Sequence, residues 1–154
     1  MESVQSRAAD IRIHQVPRHA VAAALRKAPL QALLARGMAA AGIGDARPVV
    51  MDVMTGHKQL WLLFSIESGD PLATWITTIH TEPEGKSWVS VSVLAGREAR
   101  RWAGMMSDRM AMFALAEGAT CVRFFGRKGW ARMARNVRSI GSHGETHVFE
   151  RAVK

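Results

Sequence analysis

Trp88-Val-Ser-Val-Ser-Val-Leu-Ala-Gly96, followed by Arg97-Glu-Ala-Arg-Arg-Trp102 and a helical run to about Glu117, is the stretch on which the fold turns. Apolar and polar residues alternate, so Val89, Val91 and Val93 share one face of a strand and the serines the other. Beyond Gly96, Trp102, Met106, Met110 and Phe113 recur at spacings of four, four and three, which is one apolar helical stripe and reads as core. Gly118 is placed as the helix C-cap, and Cys121-Val-Arg-Phe-Phe125 is a second apolar strand. A long helix joining two strands without a hairpin turn is a crossover, so Cys121–Phe125 is expected to run parallel to Trp88–Leu94.

Upstream, Ile11-Arg-Ile-His-Gln-Val16 alternates as a half-buried strand ended by Pro17. Arg18–Lys27 is Ala-rich and helical, Pro29 breaks it, and Leu30–Ala41 is a second short helix stopped by Gly42-Ile-Gly44. Arg47-Pro48 is expected to begin an extended segment. Val49–Val53, Gln59–Ile66, Leu72–His80 and Trp88–Leu94 then read as a meander with Gly- and Pro-containing turns between its strands. Downstream, Gly129–Arg135 is a short helix and His147–Val153 a last strand. The order predicts an α/β (α+β) fold, a single domain over residues 1–154 with a mixed central sheet flanked by helices and with residues 1–8 frayed.

The 154 residues are one domain's worth, and 48% of them are hydrophobic, which excludes a disordered tail. No apolar run reaches the roughly 18 residues of a membrane span, and the first residues lack a signal layout. The expected location is the cytoplasm. Cys121 is the one cysteine, so no internal disulfide forms, and its place in an apolar strand marks a packing thiol. The net charge is +8, and Arg97–Arg138 alone carries nine arginines and one lysine against Glu98, Asp108 and Glu117, a local excess of +7. Such a cluster suits phosphates of a cofactor or nucleic acid, or an acidic protein partner; a solvated helix face is the plainer reading. His143 and His147 lie four apart, but the glycines around them indicate a loop with no third ligand, so no metal is expected.

The element order resembles the GNAT acyltransferase fold, that of the N-acetyltransferases that use acyl-coenzyme A. The resemblance runs from Ile11 to Val153. Gly118-Ala-Thr-Cys-Val-Arg-Phe-Phe-Gly-Arg-Lys-Gly-Trp130, with Arg132 and His147-Val-Phe-Glu-Arg151, resembles the Gly-Arg-x-Gly-Trp segment and closing strand of small GNAT-like proteins of bacteriophages. Some of those are associated with virion assembly, including an internal virion protein family of short-tailed phages.

The resemblance implies a cradle for the acetyl-CoA pyrophosphate at the start of the long helix, where backbone N–H groups need small residues around them. Arg101-Trp-Ala-Gly104-Met-Met106 matches the first two positions of the family's signature and puts Met106 at the third. Counting back from Gly118 instead places the cradle at Ala95–Ala99 and leaves Gly104 inside the helix. Gly96, Arg97, Arg100 and Arg101 are then the candidate cofactor contacts, with Glu98 opposing a phosphate. The family's usual acid is a tyrosine, and this chain has none. Glu67, His80 and Glu82, with Glu84, are the candidate bases, each also readable as a turn residue.

Three functions follow as expectations. The first is a phage-derived GNAT-like domain with a degenerate acyl-CoA site, acting as a structural or assembly component of the virion beside other virion proteins. The second is an active N-acetyltransferase on an amine or protein. The third is a nucleic-acid or host-factor binder that uses the Arg-rich half.

Overall fold

The computed structural model describes residues 10–153, so the expectation for residues 1–8 falls outside the described residues. Strand β1 (Ile11–Gln15) is followed by a 3-10 turn at Arg18–Ala20 and helices α1 (Val21–Leu25), α2 (Ala28–Ala40) and α3 (Arg47–Thr55). Next come β2 (Gln59–Ser65), β3 (Pro71–Thr81), β4 (Ser87–Gly96), the long helix α4 (Ala99–Ala116) and β5 (Cys121–Gly126). The short helix α5 (Trp130–Met133) and the hairpin β6 (Arg138–His143) and β7 (Thr146–Ala152) close the chain. The strands form one sheet in the order β1-β2-β3-β4-β5-β7-β6, antiparallel except where β4 and β5 run parallel across the α4 crossover.

Two sequence expectations are corrected. Val49–Val53 is not a strand: it lies in α3, with Pro48 in the first turn, where its missing N–H has no helical acceptor to lose. Val53 is buried, Val49 and Val50 pack beside it, Met51 and Met54 face solvent, and Gly56 closes the helix at φ 87°. In the same way Pro29 starts α2 as much as it ends α1. The segment around Gly141, Ser142 and Gly144 is not a loop but strand β6 and its turn, with Gly144 at φ 63°.

Each sheet face has its own core. Helix α4 lays Trp102, Met106, Met110 and Phe113 over Trp61, Trp75, Val89, Val91, Val122 and Phe124. Stacking extends through this layer, from Trp61 to Trp75 at 6.4 Å between ring centroids and from Trp75 to Trp102 at 6.3 Å. The polar atoms of the buried indoles are satisfied, since Trp61 Nε1–H donates to Thr77 Oγ1 at 2.9 Å and Trp75 Nε1–H to Met110 Sδ at 3.3 Å. On the opposite face α2 sets Leu30, Leu34 and Met38 against Leu60, Ile76 and Val93.

Val93 is a third departure from the sequence pattern, because alternation alone puts it with Val89 and Val91. The β3–β4 register slips between Thr74 and Ile76, so Val93 and Leu94 together oppose Trp75, and Val93 takes φ 53°. That bulge turns Val93 onto the α2 face. A β-branched residue with positive φ is strained, and α2 packs directly on it: a Cβ at Gly37 would lie 2.6 Å from the Val93 carbonyl oxygen. Gly37→Ala is therefore expected to destabilise the fold by about 1–3 kcal/mol despite alanine's better helix propensity. A melting temperature equal to or above wild type would contradict this account of the α2–β4 contact.

Candidate functional site

Parallel pairing of β4 and β5 stops at Val91 and Phe124, while β4 continues to Gly96 and β5 to Gly126. The two strands part there, just where the bulge bends β4. A wedge between two strands exposes unpaired backbone groups and can receive an extended ligand. Here apolar side chains line the wedge. Leu94, Phe124, Phe125, Trp130, Val137 and Phe149 enclose a residual cavity of about 10 Å³, room for roughly one water. Trp130 lies so close to β5 that a Cβ on Gly126 would meet its Cδ1 at 2.9 Å. Its ring contacts Trp102 at 5.6 Å between centroids, which joins α5 to the first turn of α4.

A second tie reinforces the first. Asp108 Oδ2 accepts from Arg135 and Asp108 Oδ1 from Arg151, each at 2.7 Å, and Ser107 Oγ donates to the Arg135 carbonyl at 2.8 Å. Arg135 also lies against Gly104, where a Cβ would sit 2.7 Å from Nε. Gly104 is thus inside α4, as the count back from Gly118 requires. It serves close packing of the segment after α5.

The expected cradle follows Gly96 directly, with Arg97 and Glu98 linking β4 to α4. Gly96 is glycine because of its neighbours: a Cβ would lie 2.6 Å from the Ala73 Cβ and 2.7 Å from Trp102 Cζ2. Trp102 Nε1–H fixes the link by donating to the Arg97 carbonyl at 2.6 Å. Glu98, at φ 57°, is the α4 N-cap, and its carboxylate lies 3.8 Å from Arg101 Nη1. A carboxylate at the positive end of a helix stabilises it and repels a phosphate arriving there. Arg97 and Arg100 are exposed at the same end, and Arg127, Lys128 and Arg132 are exposed on the β5–α5 segment. None of these five has an ion pair among the described residues.

The rest of the basic half is largely engaged. Arg123, at 3.2 Å, and Arg138, at 3.0 Å, hold Glu150 from two sides, and Arg109 lies 5.0 Å over the Trp61 ring. The Arg138 hydrogen bond, joined by Arg123 and opposed by burial, keeps the Glu150 carboxyl below its ordinary range. Beside it the Cys121 thiol is buried, and burial, followed by the Glu150 charge, pushes its titration up, which fits a packing thiol and not a nucleophile.

The structure parts Glu67 from the other candidate bases, His80, Glu82 and Glu84. Glu67 is exposed in the β2–β3 turn and Glu82 in the β3–β4 turn, so the eleven residues of β3, about 33 Å when extended, lie between them. His80 sits with Ser90, Trp88 and Arg123 on the sheet face that α4 does not cover. Its Nε2 is 2.9 Å from Ser90 Oγ, its ring stacks on Trp88 at 4.0 Å, and Arg123 lies 4.5 Å over the same indole. Burial, then the charges of Lys58 and Arg123, lower its proton affinity, so it is neutral near neutral pH. Ser90 precedes the bulge by three residues, about 10 Å along β4.

This row from His80 through Trp88 and Arg123 to Glu150 and Arg138 was not legible in the sequence. Its members come from five strands, and only the register aligns them.

Glu150 yields a pH prediction. Its folded carboxyl titrates below its unfolded value, so its stabilisation is complete above the unfolded value and is lost as acidification passes through the folded one. Glu150→Gln is expected to cost about 1 kcal/mol near neutral pH by chemical denaturation, with the gap to wild type closing as pH falls through the carboxylate range. A gap that widens on acidification would contradict the Arg138–Glu150–Arg123 assignment.

No family model and no curated protein sequence matches the chain. Solved structures do. A GNAT-family acetyltransferase from Staphylococcus aureus Mu50 superposes with a TM-score of 0.60 at 11% identity, covering 94% of this chain and 99% of that one. An acetyltransferase from Streptococcus agalactiae 2603 gives 0.59 at 9% identity over 94% and 99% of the two chains. An N-acyl amino acid synthase from uncultured soil microbes gives 0.59 at 14% identity over 93% and 88%. The likeness spans the whole sheet with its crossover helix, and the chain has the fold of the GNAT-family acetyltransferases.

Proposed function

We propose that this chain is a GNAT-fold domain whose acyl-CoA site has closed, and that it serves as a structural or assembly component of a phage virion. One observation carries the first part: Trp130 and its apolar neighbours occupy the space between β4 and β5, leaving about 10 Å³. The residues present do not fit acyl-coenzyme A. A pantetheine arm has no channel while Trp130 rests on Trp102, the space beside Gly96 belongs to Ala73 and Trp102, and Glu98 stands where a pyrophosphate would meet the helix.

The second part is supported by the resemblance of Gly118–Trp130 and the closing strand to small phage GNAT-like proteins. The exposed, unpaired arginines around the closed wedge suit an acidic or phosphate-bearing partner in such a particle. The reading of an active N-acetyltransferase is favoured by a different observation, the half-buried His80 imidazole 2.9 Å from Ser90 Oγ on the sheet face opposite α4, which could accept a proton.

Calorimetric titration with acetyl-CoA separates the two readings. The closed-site reading predicts neither heat nor thermal shift at about 1 mM cofactor, and micromolar affinity would overturn it. For the virion role, mass spectrometry of purified particles and assembly intermediates is expected to find the chain. Its absence from both would reject that role.

A further inference from the structure

At the end of the sheet opposite the parted strands, an open cavity of about 350 Å³ lies among β1, the start of β2, the end of β3, α3 and the C-terminus of α4. Its size is at the lower end for small-molecule sites, typically about 300–1,000 Å³. Apolar contacts come from Val53, Leu60 and Phe113. The charged residues lining it are Arg18 and Lys58, against one carboxylate, Glu117.

None of the three makes an ion pair among the described residues. Lys58 donates to Thr78 Oγ1 at 2.9 Å, and the Arg18 stem runs past Gly56, where a Cβ would meet its Cδ at 3.3 Å. Gly56 at φ 87° thereby leaves room for Arg18 at the cavity wall. Glu117 is at the negative end of the 18-residue helix α4, so charge and helix dipole both favour a cation there.

An anion alone would leave Glu117 without a counter-charge, and a simple cation would leave Arg18 and Lys58 without one. A small ligand carrying both charges satisfies all three. We infer that this cavity is a binding site for a small zwitterion of the α-amino-acid type, its carboxylate toward Arg18 and Lys58, its ammonium toward Glu117 and its side chain on the apolar floor. Charge-assisted hydrogen bonds to both ends would give selectivity over analogues lacking either. The site is separate from the β4–β5 wedge and does not depend on whether acyl-CoA binds.

The test is an amide-resolved NMR titration of the full chain with L-leucine, chosen for the apolar floor. Its two single-charge analogues, 4-methylpentanoate and 3-methylbutylamine, are titrated alongside. Leucine is expected to shift the amides of Gly56, Gln59 and Glu117, and each analogue to bind at least about tenfold more weakly. Arg18→Met and Glu117→Gln are each expected to weaken leucine by a similar factor. Glu117 is exposed, so its variant is expected to melt as wild type and keeps the test valid even if Arg18→Met loses packing. The inference is overturned by no shifts at about 10 mM leucine, by shifts mapping elsewhere, by equal binding of either analogue, or by unchanged affinity in Glu117→Gln.

Discussion

A file of four indoles, Trp61–Trp75–Trp102–Trp130, ties the sheet to two helices. It begins in the sheet at β2 and β3, passes to the first turn of α4 and ends on α5, with successive centroids 6.4, 6.3 and 5.6 Å apart. Three of the rings are essentially without solvent contact, and each aromatic pair adds roughly 0.5–1.5 kcal/mol beyond the area it buries. The file also sets the state of the wedge. Trp102 is the hinge of the arrangement, since its indole N–H pins the β4–α4 link, its ring fills the space beside Gly96, and its outer edge receives Trp130.

The bulge at Val93 and the closure by Trp130 act on the same region from opposite directions. The bulge bends β4 away from β5 and opens backbone that pairing would otherwise satisfy, and α2 locks that bend through Gly37. Trp130, Phe124 and Phe149 then line the gap with apolar surface, which stabilises the fold through burial and surrounds a cavity of about 10 Å³. Asp108 adds an electrostatic clasp by holding Arg135 and Arg151 to α4. These pairs are partly exposed and contribute modestly to stability, but they fix where the segment after α5 lies. The GNAT fold persists, and Trp130 with its apolar neighbours lines the place where β4 and β5 part.

Much of this was legible in the residues. The four-four-three stripe of α4, the Gly118 cap and the crossover to Cys121 depend on local periodicity and on one topological rule, and the structure follows them. Val49–Val53 misled because β-branched residues in a short run read as strand, whereas Pro48 in a first turn and Gly56 at the end make an equally good helix. Val93 misled because a bulge breaks alternation without any glycine to announce it. Strand β6 was hidden because Arg138–His143 is exposed throughout and lacks an apolar pattern. At the candidate site, Glu98 was readable as an obstacle to phosphate, but the role of Trp130 was not. Its position in the wedge depends on contacts with Gly126 and Trp102, which are remote from the helix signature in the sequence.

The direct test of the closed wedge is a crystal structure of the chain grown with about 1 mM acetyl-CoA. The expected result is Trp130 still against Trp102, with no cofactor between β4 and β5. Pantetheine density lying along Leu94 with the Trp130 ring displaced would contradict it.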